Sequence, residues 1–189
     1  QSIAGLGLNI TQDQTDNDGV EYVFGANDSH GRFAHTVAAT TNTCFRVKSK
    51  VVDVSGTDDY AIGWRKVETS QANIDDYDEA AFLNNILGVL NTETILNGGT
   101  TTTTVVAMPG VLTAWIDNAV HTEEVCIKGR KAHYYYDNLE VQKTVVFNFD
   151  LGEAIEPFIF HLQATTTPGI VYLQSVEIYD GSEANPSGT

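Results

Sequence analysis

The chain is predicted to fold as an all-β, antiparallel β-sandwich, and three observations carry that expectation. Apolar residues recur at every second position over many short stretches, the spacing that turns one face of a strand toward a core. Gly, Pro, Asn and Asp punctuate these stretches about every 8–12 residues, the interval typical of sandwiches and barrels. Thr144 to Tyr179 shows both signals together: TVVFNFD, IEPFIFHLQA and GIVYLQSVEIYD read as three consecutive strands of a buried sheet.

Taken in order, residues 1–18 are rich in Gly, Asn, Asp and Thr and read as an N-terminal arm. Residues 19–181 form a single domain and residues 182–189 a C-terminal tail. VEYVFGA is a strand with Val20, Tyr22 and Phe24 in phase, and FAHTVA is a short strand after the NDSHGR loop. In TCFRVKSKVVDVSG, Phe45, Val47 and Val51 face one way and Arg46, Lys48 and Lys50 the other, so the basic face is expected to be solvated. Turn residues at Ser55–Gly56 and Asp58–Asp59 lead into YAIGWRKVE, where Tyr60, Ile62 and Trp64 are in phase. These two strands read as a hairpin with a loop of about four residues.

One short helix is expected at about residues 76–90. Asp76 and Glu79 have capping-box spacing, and Phe82, Leu83, Ile86, Leu87 and Leu90 form an apolar stripe at helical spacing. TTTTTVVAM after Asn97-Gly98-Gly99 is β-prone, and Pro109-Gly110 turns into VLTAWID. EEVCIKG is a strand, and KAHYYYDNLEVQ a hairpin about Asp137–Asn138, since Asn accepts the left-handed backbone of a two-residue turn. In IEPFIFHLQA, Phe158, Phe160 and Leu162 share a face and Glu156 breaks that phase. In the last strand Val171 and Leu173 share one phase while Val176 and Ile178 share the other, which predicts a bulge near Gln174–Ser175. The total is roughly ten to twelve strands and one helix.

A length of 189 residues suits one domain with a sizeable core. The formal charge of −15, from 25 acidic and 10 basic residues, argues against nucleic-acid binding and against an anionic membrane surface. It fits solubility in a salty medium, or a cation site or basic partner. No apolar run approaches the ~20 residues of a spanning helix. The chain begins at Gln1, as expected of a processed product or part of a longer chain. Cys44 and Cys126 do not make a disulfide scaffold. Both are expected to face away from the core, reduced and unpaired unless their strands are adjacent.

FRVKSKVVDVSGTDDYAIGWRKVE and the stretch from EVCIKG to VEIYDG resemble the concanavalin A-like (lectin/glucanase, laminin G-like) jelly-roll sandwich. Gly63-Trp64, the YYYDN hairpin and Pro157 stand where that fold carries a Gly-aromatic pair, a tight hairpin and a Pro. VEYVFGA, VSGTDDYAIGWRKVE and DDYDEAAFLNN are similar to structural proteins of marine bacterial viruses. That resemblance implies a non-enzymatic capsid decoration or fibre subunit, part of a virion assembled in the host cytoplasm. Its partners would be other virion proteins, as a homo-oligomer or capsid lattice. The alternative is a lectin-like module for host or matrix glycans, with calcium as a candidate cofactor.

Enzyme chemistry is not expected. The E-x-D-x-x-E run of glucanases, which sets two carboxylates within ~5 Å on one strand face, is absent; Glu153 and Glu156 have the wrong spacing. DQTDNDG resembles part of a calcium loop, but Gln14 and Gly25 fall on ligand positions and exclude an EF-hand. A sandwich-type calcium site from Asp16, Asp18, Asp58, Asp59 or the Asp75–Asp76 pair is the remaining metal reading, against plain solvated acids. His30, His35, His121, His133 and His161 occur singly without zinc spacing, and His161 reads as exposed or lightly buried. Asn9 and Asn27 fit glycosylation acceptors. Trp115, Tyr134, Tyr135 and Tyr136 are the candidates for a glycan platform because sugar rings stack on aromatic faces, with the core as the other reading for Tyr134 and Tyr136.

Overall fold

The structure, a computed structural model, describes residues 2–3, 7–11, 19–24, 33–107, 115–163 and 170–181. Two antiparallel sheets stack as a sandwich. The first runs β1 (Ser2–Ile3), β2 (Gly7–Thr11), β14 (Ile170–Asp180), β5 (Asn42–Val51), β10 (Val120–Lys128), β11 (Lys131–Tyr136) and β12 (Leu139–Val141). The second runs β3 (Gly19–Val23), β13 (Ala154–Gln163), β6 (Thr57–Lys66), β7 (Ala80–Ile86), β8 (Val89–Ile95) and β9 (Thr102–Val105), with β4 (His35–Thr36) also on β13.

The expected alternation builds the core between the sheets. Phe45, Val47 and Val51 of β5 meet Tyr60, Ile62 and Trp64 of β6, with Val125, Ile127 and Tyr134 from the first sheet and Leu83 and Ile159 from the second. A second apolar cluster covers the outer face of the second sheet: Ile74 and Tyr77 lie over Ala61, Phe82, Phe158, Phe160 and Leu162. The second sheet is therefore buried on both faces. Glu156 shares the outer face with Phe158 because it has a partner there. Arg65 lies 2.8 Å from Glu156 and 2.5 Å from Glu21, with its guanidinium over the Tyr77 ring.

That double burial overturns the helix. Residues 80–86 and 89–95 are paired strands joined at Leu87–Gly88, both with positive φ, and the one helical element among residues 74–90 is a 3-10 turn at Ile74–Asp76. A strand buried on both faces has a continuous apolar run that periodicity cannot tell from a helix. Two further expectations change. β5 and β6 lie in different sheets, so residues 52–56 arch between sheets instead of closing a hairpin. Thr144–Asp150 is not a ladder strand; it runs extended beside the start of β11 through one bridge, Lys131 to Asn148. Its alternation is real all the same, with Phe147 and Phe149 buried and Val146 exposed. The VLTAWID strand lies largely outside the described residues, and Trp115–Ile116 is not in a strand. The hairpin at Asp137–Asn138 and the bulge in the last strand are as expected.

Gly63 shows why the second sheet can pack so tightly. A Cβ there would stand 2.3 Å from the Ala81 carbonyl oxygen and 2.6 Å from Phe82 Cα. Only glycine lets β6 and β7 approach at that point.

Candidate functional site

The bulge in β14 decides what the outer face of the first sheet carries. Leu173 pairs with Ser49 and Ser175 with Lys48, so Gln174 is the extra residue. Before it, Val171 and Leu173 point into the core; after it, Val176 and Ile178 do. Glu177 and Tyr179 are thereby turned outward beside Arg46 and Cys44. Re-aiming side chains is what a bulge does.

On this face Arg46 Nε donates to Glu124 Oε2 at 2.7 Å. Nη2 of the same guanidinium donates to the Tyr179 hydroxyl at 2.9 Å, and that hydroxyl donates to Glu124 Oε1 at 2.7 Å. Arg46 is 3% exposed and Glu124 7%, so the ion pair is desolvated although it stands away from the core. The expectation of a solvated basic face fails at Arg46, because Glu124 on the neighbouring strand draws it down. Burial first, and then the bond to Glu124, raise the Tyr179 phenol above its ordinary pKa.

Cys44 and Cys126 sit directly opposite each other on β5 and β10 and are joined in a disulfide. They face away from the core, as expected, but they are not a reduced pair: adjacency of the strands was the condition for pairing, and it is met. Lys128 Nζ donates to the Tyr135 hydroxyl at 3.1 Å and lies over its ring. Asp137 and Asn138 both adopt positive φ. Their turn is pinned by the Thr122 N–H, which donates to Asp137 Oδ1 at 2.9 Å, and it sets Asn138 on the rim. Arg46, Glu124, Lys128, Tyr135, Asn138 and Tyr179, with the disulfide, line an open surface pocket of about 190 Å³. It offers a guanidinium donor, a carboxylate acceptor, two phenols that do both, and aromatic surface.

Of the four aromatics expected to line a glycan platform, Tyr135 alone lines this pocket. Tyr134 and Tyr136 alternate inward and are fully buried, and Trp115 is buried beside them. Trp115 stands 5.8 Å from both the Tyr136 and His121 rings and 5.9 Å from that of Tyr60. Glu123 points into the same interior, completely buried, with neither carboxylate oxygen hydrogen-bonded. His161 is fully buried, against the expectation of an exposed or lightly buried histidine, since it projects inward on β13 against Tyr60. Burial lowers its pKa to about 4.

Asp16, Asp18, Asn27 and His30 lie outside the described residues, and Asp58 falls in β6. Asp59 and Asp75 both line a cleft of about 560 Å³ on the outer face of the second sheet. Asn84 Nδ2 bridges Asp59 and Glu93 there, at 2.6 and 2.7 Å, and the Thr101 hydroxyl donates to Asp75. Asp76 closes the 3-10 turn. Among the described residues, three His, Cys or acidic ligand atoms converge at one place, Cys44, Glu124 and Cys126.

Arg46, Glu124 and Tyr179 were not singled out from the sequence, yet a signal for the first two exists. Each cysteine has a charged residue of opposite sign two positions away on the same face. Pairing Cys44 with Cys126 in antiparallel register places Arg46 opposite Glu124. Tyr179 could be read only by carrying the bulge through to its consequence.

No protein-family model and no curated protein matches the chain. Solved structures do. A variant of alginate lyase A1-II′ superposes with a TM-score of 0.58 at 10% identity, over 95% of this chain and 82% of that one. A variant of human galectin-16 gives 0.52 at 13%, over 79% and 95%. The catalytic domain of an endo-1,3-β-glucanase (laminarinase) from Thermotoga petrophila gives 0.51 at 9%, over 82% and 68%. At these identities the likeness shows the fold, and the fold is the concanavalin A-like jelly-roll sandwich.

Proposed function

We propose that this chain is a non-catalytic carbohydrate-binding module that seats a sugar ring in the pocket between Tyr135 and Tyr179. The observation that carries the reading is the desolvated Arg46–Glu124–Tyr179 network on a sheet face directed to solvent. A buried ion pair is rarely favourable for stability alone, and here it holds oriented donors and acceptors at the floor of a pocket with phenol walls. Sugar hydroxyls both donate and accept, and their ring C–H faces stack on aromatic surfaces. A pocket of about 190 Å³ admits one ring, with Lys128 and Asn138 reaching the next. Galectins and polysaccharide-cleaving enzymes among the fold neighbours support a glycan ligand. Binding is favoured over cleavage because both Glu124 oxygens are held, one by Arg46 and one by Tyr179, which leaves this carboxylate without the freedom of a general base.

A glycan array followed by calorimetry on the best hit tests the reading. Wild type should bind saturably, and Tyr135→Ala and Glu124→Gln should each weaken binding at least about tenfold, a loss of roughly 1.4 kcal/mol. A blank array across neutral and acidic glycans overturns it.

The virion reading has the sequence resemblance as its support; no viral protein is among the structures named above. A decoration or fibre subunit would co-purify with particles at fixed copy number and bury more than about 1,000 Å² against its neighbours. The Cys44–Cys126 disulfide suits an oxidising setting outside the cell, which either reading accommodates. Calcium remains a candidate at the acids of the second sheet. A glycan affinity unchanged by chelation removes it.

A further inference from the structure

We propose that Cys44, Cys126 and Glu124 form a redox-gated site for a thiophilic divalent cation such as Zn²⁺, closed by the disulfide and opened by its reduction. The proposal shares Glu124 and its pocket with the glycan reading but does not rest on it. The ligand atoms of the three residues lie within 4.8 Å of one another, the one such group of three among the described residues. The two cysteines face each other across adjacent strands with Cα atoms 4.0 Å apart. Reduction therefore leaves two thiols aimed at the same point without moving the ladder.

Glu124 is already in position. Its Oε1 lies 3.0 Å from Cys126 Sγ, and a disulfide sulfur has no proton to donate, so that contact fixes geometry without being a hydrogen bond. The Tyr179 hydroxyl also donates to Oε1 and Arg46 grips the other oxygen; together they orient the carboxylate, as outer partners of metal ligands do, and the second lone pair of Oε1 is the one left for the cation. Charge also closes: two thiolates and one carboxylate bring three negative charges against two positive on the cation, and Arg46 beside them offsets the remainder. Two sulfurs and one oxygen make a three-ligand set of the open type, leaving a fourth position for water or a ligand oxygen in the pocket above.

The chemistry balances as follows. A dithiol passes two electrons and two protons to the disulfide, becoming a disulfide itself and leaving two protein thiols. The cation then displaces both thiol protons to solvent. The oxidised protein has no thiolate to offer and cannot take the metal in this way.

The test uses Co²⁺ as a spectroscopic stand-in for Zn²⁺, with a trialkylphosphine as reductant so that no competing thiol is present. The phosphine takes oxygen from one water, whose two protons complete the thiols. Reduced protein should bind one equivalent, with an intense near-ultraviolet thiolate-to-cobalt band that Zn²⁺ abolishes. Oxidised protein should show none. Cys126→Ser in reducing buffer should lose the band, and Glu124→Gln should weaken Co²⁺ binding by more than about tenfold. Circular dichroism reports the fold in parallel; if reduction unfolds the chain, added Zn²⁺ should restore it. Folded, reduced protein without the band overturns the proposal. So do an equal band in the oxidised protein or in Cys126→Ser, and reduced, unfolded protein that metal fails to refold.

Discussion

Replacing Glu123 with Gln should make the protein more stable at neutral pH, and by an amount that grows with pH. Glu123 points inward from β10, is completely buried, and has no hydrogen-bond partner for either oxygen. Burial first, and then the charge of Asp137, raise its pKa well above the ordinary 4.5. The groups around it offer no fixed positive charge. Tyr60 stands on β6, Ser49 on β5, Tyr136 on β11, and His121, two residues away on β10, is already paired with Asp137. Below about pH 4.5 folded and unfolded chains both hold the proton, so the carboxyl has no differential effect. Above it the unfolded chain releases the proton while the folded one retains it, and stability falls by about 1.36 kcal/mol per pH unit until the folded pKa is reached. Between pH 4.5 and pH 7 this slope caps the loss at about 3 kcal/mol, and Gln, nearly isosteric and uncharged, does not incur it. Urea unfolding followed by tryptophan fluorescence, run on both proteins near pH 4.5 and pH 7, isolates the effect, because every other titration is common to the two. The expected result is near-equal midpoints at the lower pH and an advantage for Glu123→Gln of up to about 3 kcal/mol at the higher. A difference that stays constant with pH, or a variant weaker than wild type at pH 7, would refute the reasoning.

Gly63→Ala should cost about 1–3 kcal/mol by forcing β6 from β7, read as a lower thermal midpoint with the sheet content of the circular dichroism spectrum retained below it. Leu87→Asn should gain on the order of 1 kcal/mol, since Leu87 is exposed and held at φ 48° in a two-residue turn that Asn accepts far more readily; denaturant midpoints decide it. Tyr134→Ala and Tyr135→Ala, one residue apart, should separate cleanly. The first should lose about 3–5 kcal/mol of stability as an emptied core site; the second should keep its melting temperature within about 2 °C and lose glycan affinity.

Much of the sandwich is legible because half-buried strands advertise themselves: Phe45, Val47 and Val51, or Tyr60, Ile62 and Trp64, could face only one way. The helix reading failed where the signal saturates. Phe82 and Leu83 are both buried on opposite faces of β7, and a strand with no wet side loses its period of two. The hairpin reading of β5 and β6 failed for a different reason: turn residues announce that the chain reverses, not which sheet it reverses into. The site was the least legible part. Arg46 alternates like an exposed lysine and is buried only because a residue 78 positions later supplies its partner. Tyr135 is a candidate because it is aromatic, and its neighbours Tyr134 and Tyr136 are indistinguishable from it until register assigns the faces.

The extra residue at Gln174 makes the pocket a property of register. If the ladder ran regularly through Gln174 instead of setting it aside, Glu177 and Tyr179 would rotate into the sandwich while Val176 and Ile178 came out. The interior would gain a carboxylate and a phenol, and the outer face a pair of branched aliphatics. A chain of this fold without the extra residue keeps these faces on a regular ladder, whereas one that has it but no bulge loses the floor of the proposed sugar pocket. In surveying related chains, the count of residues between Leu173 and Tyr179 is to be read together with the bulge, ahead of any residue's identity.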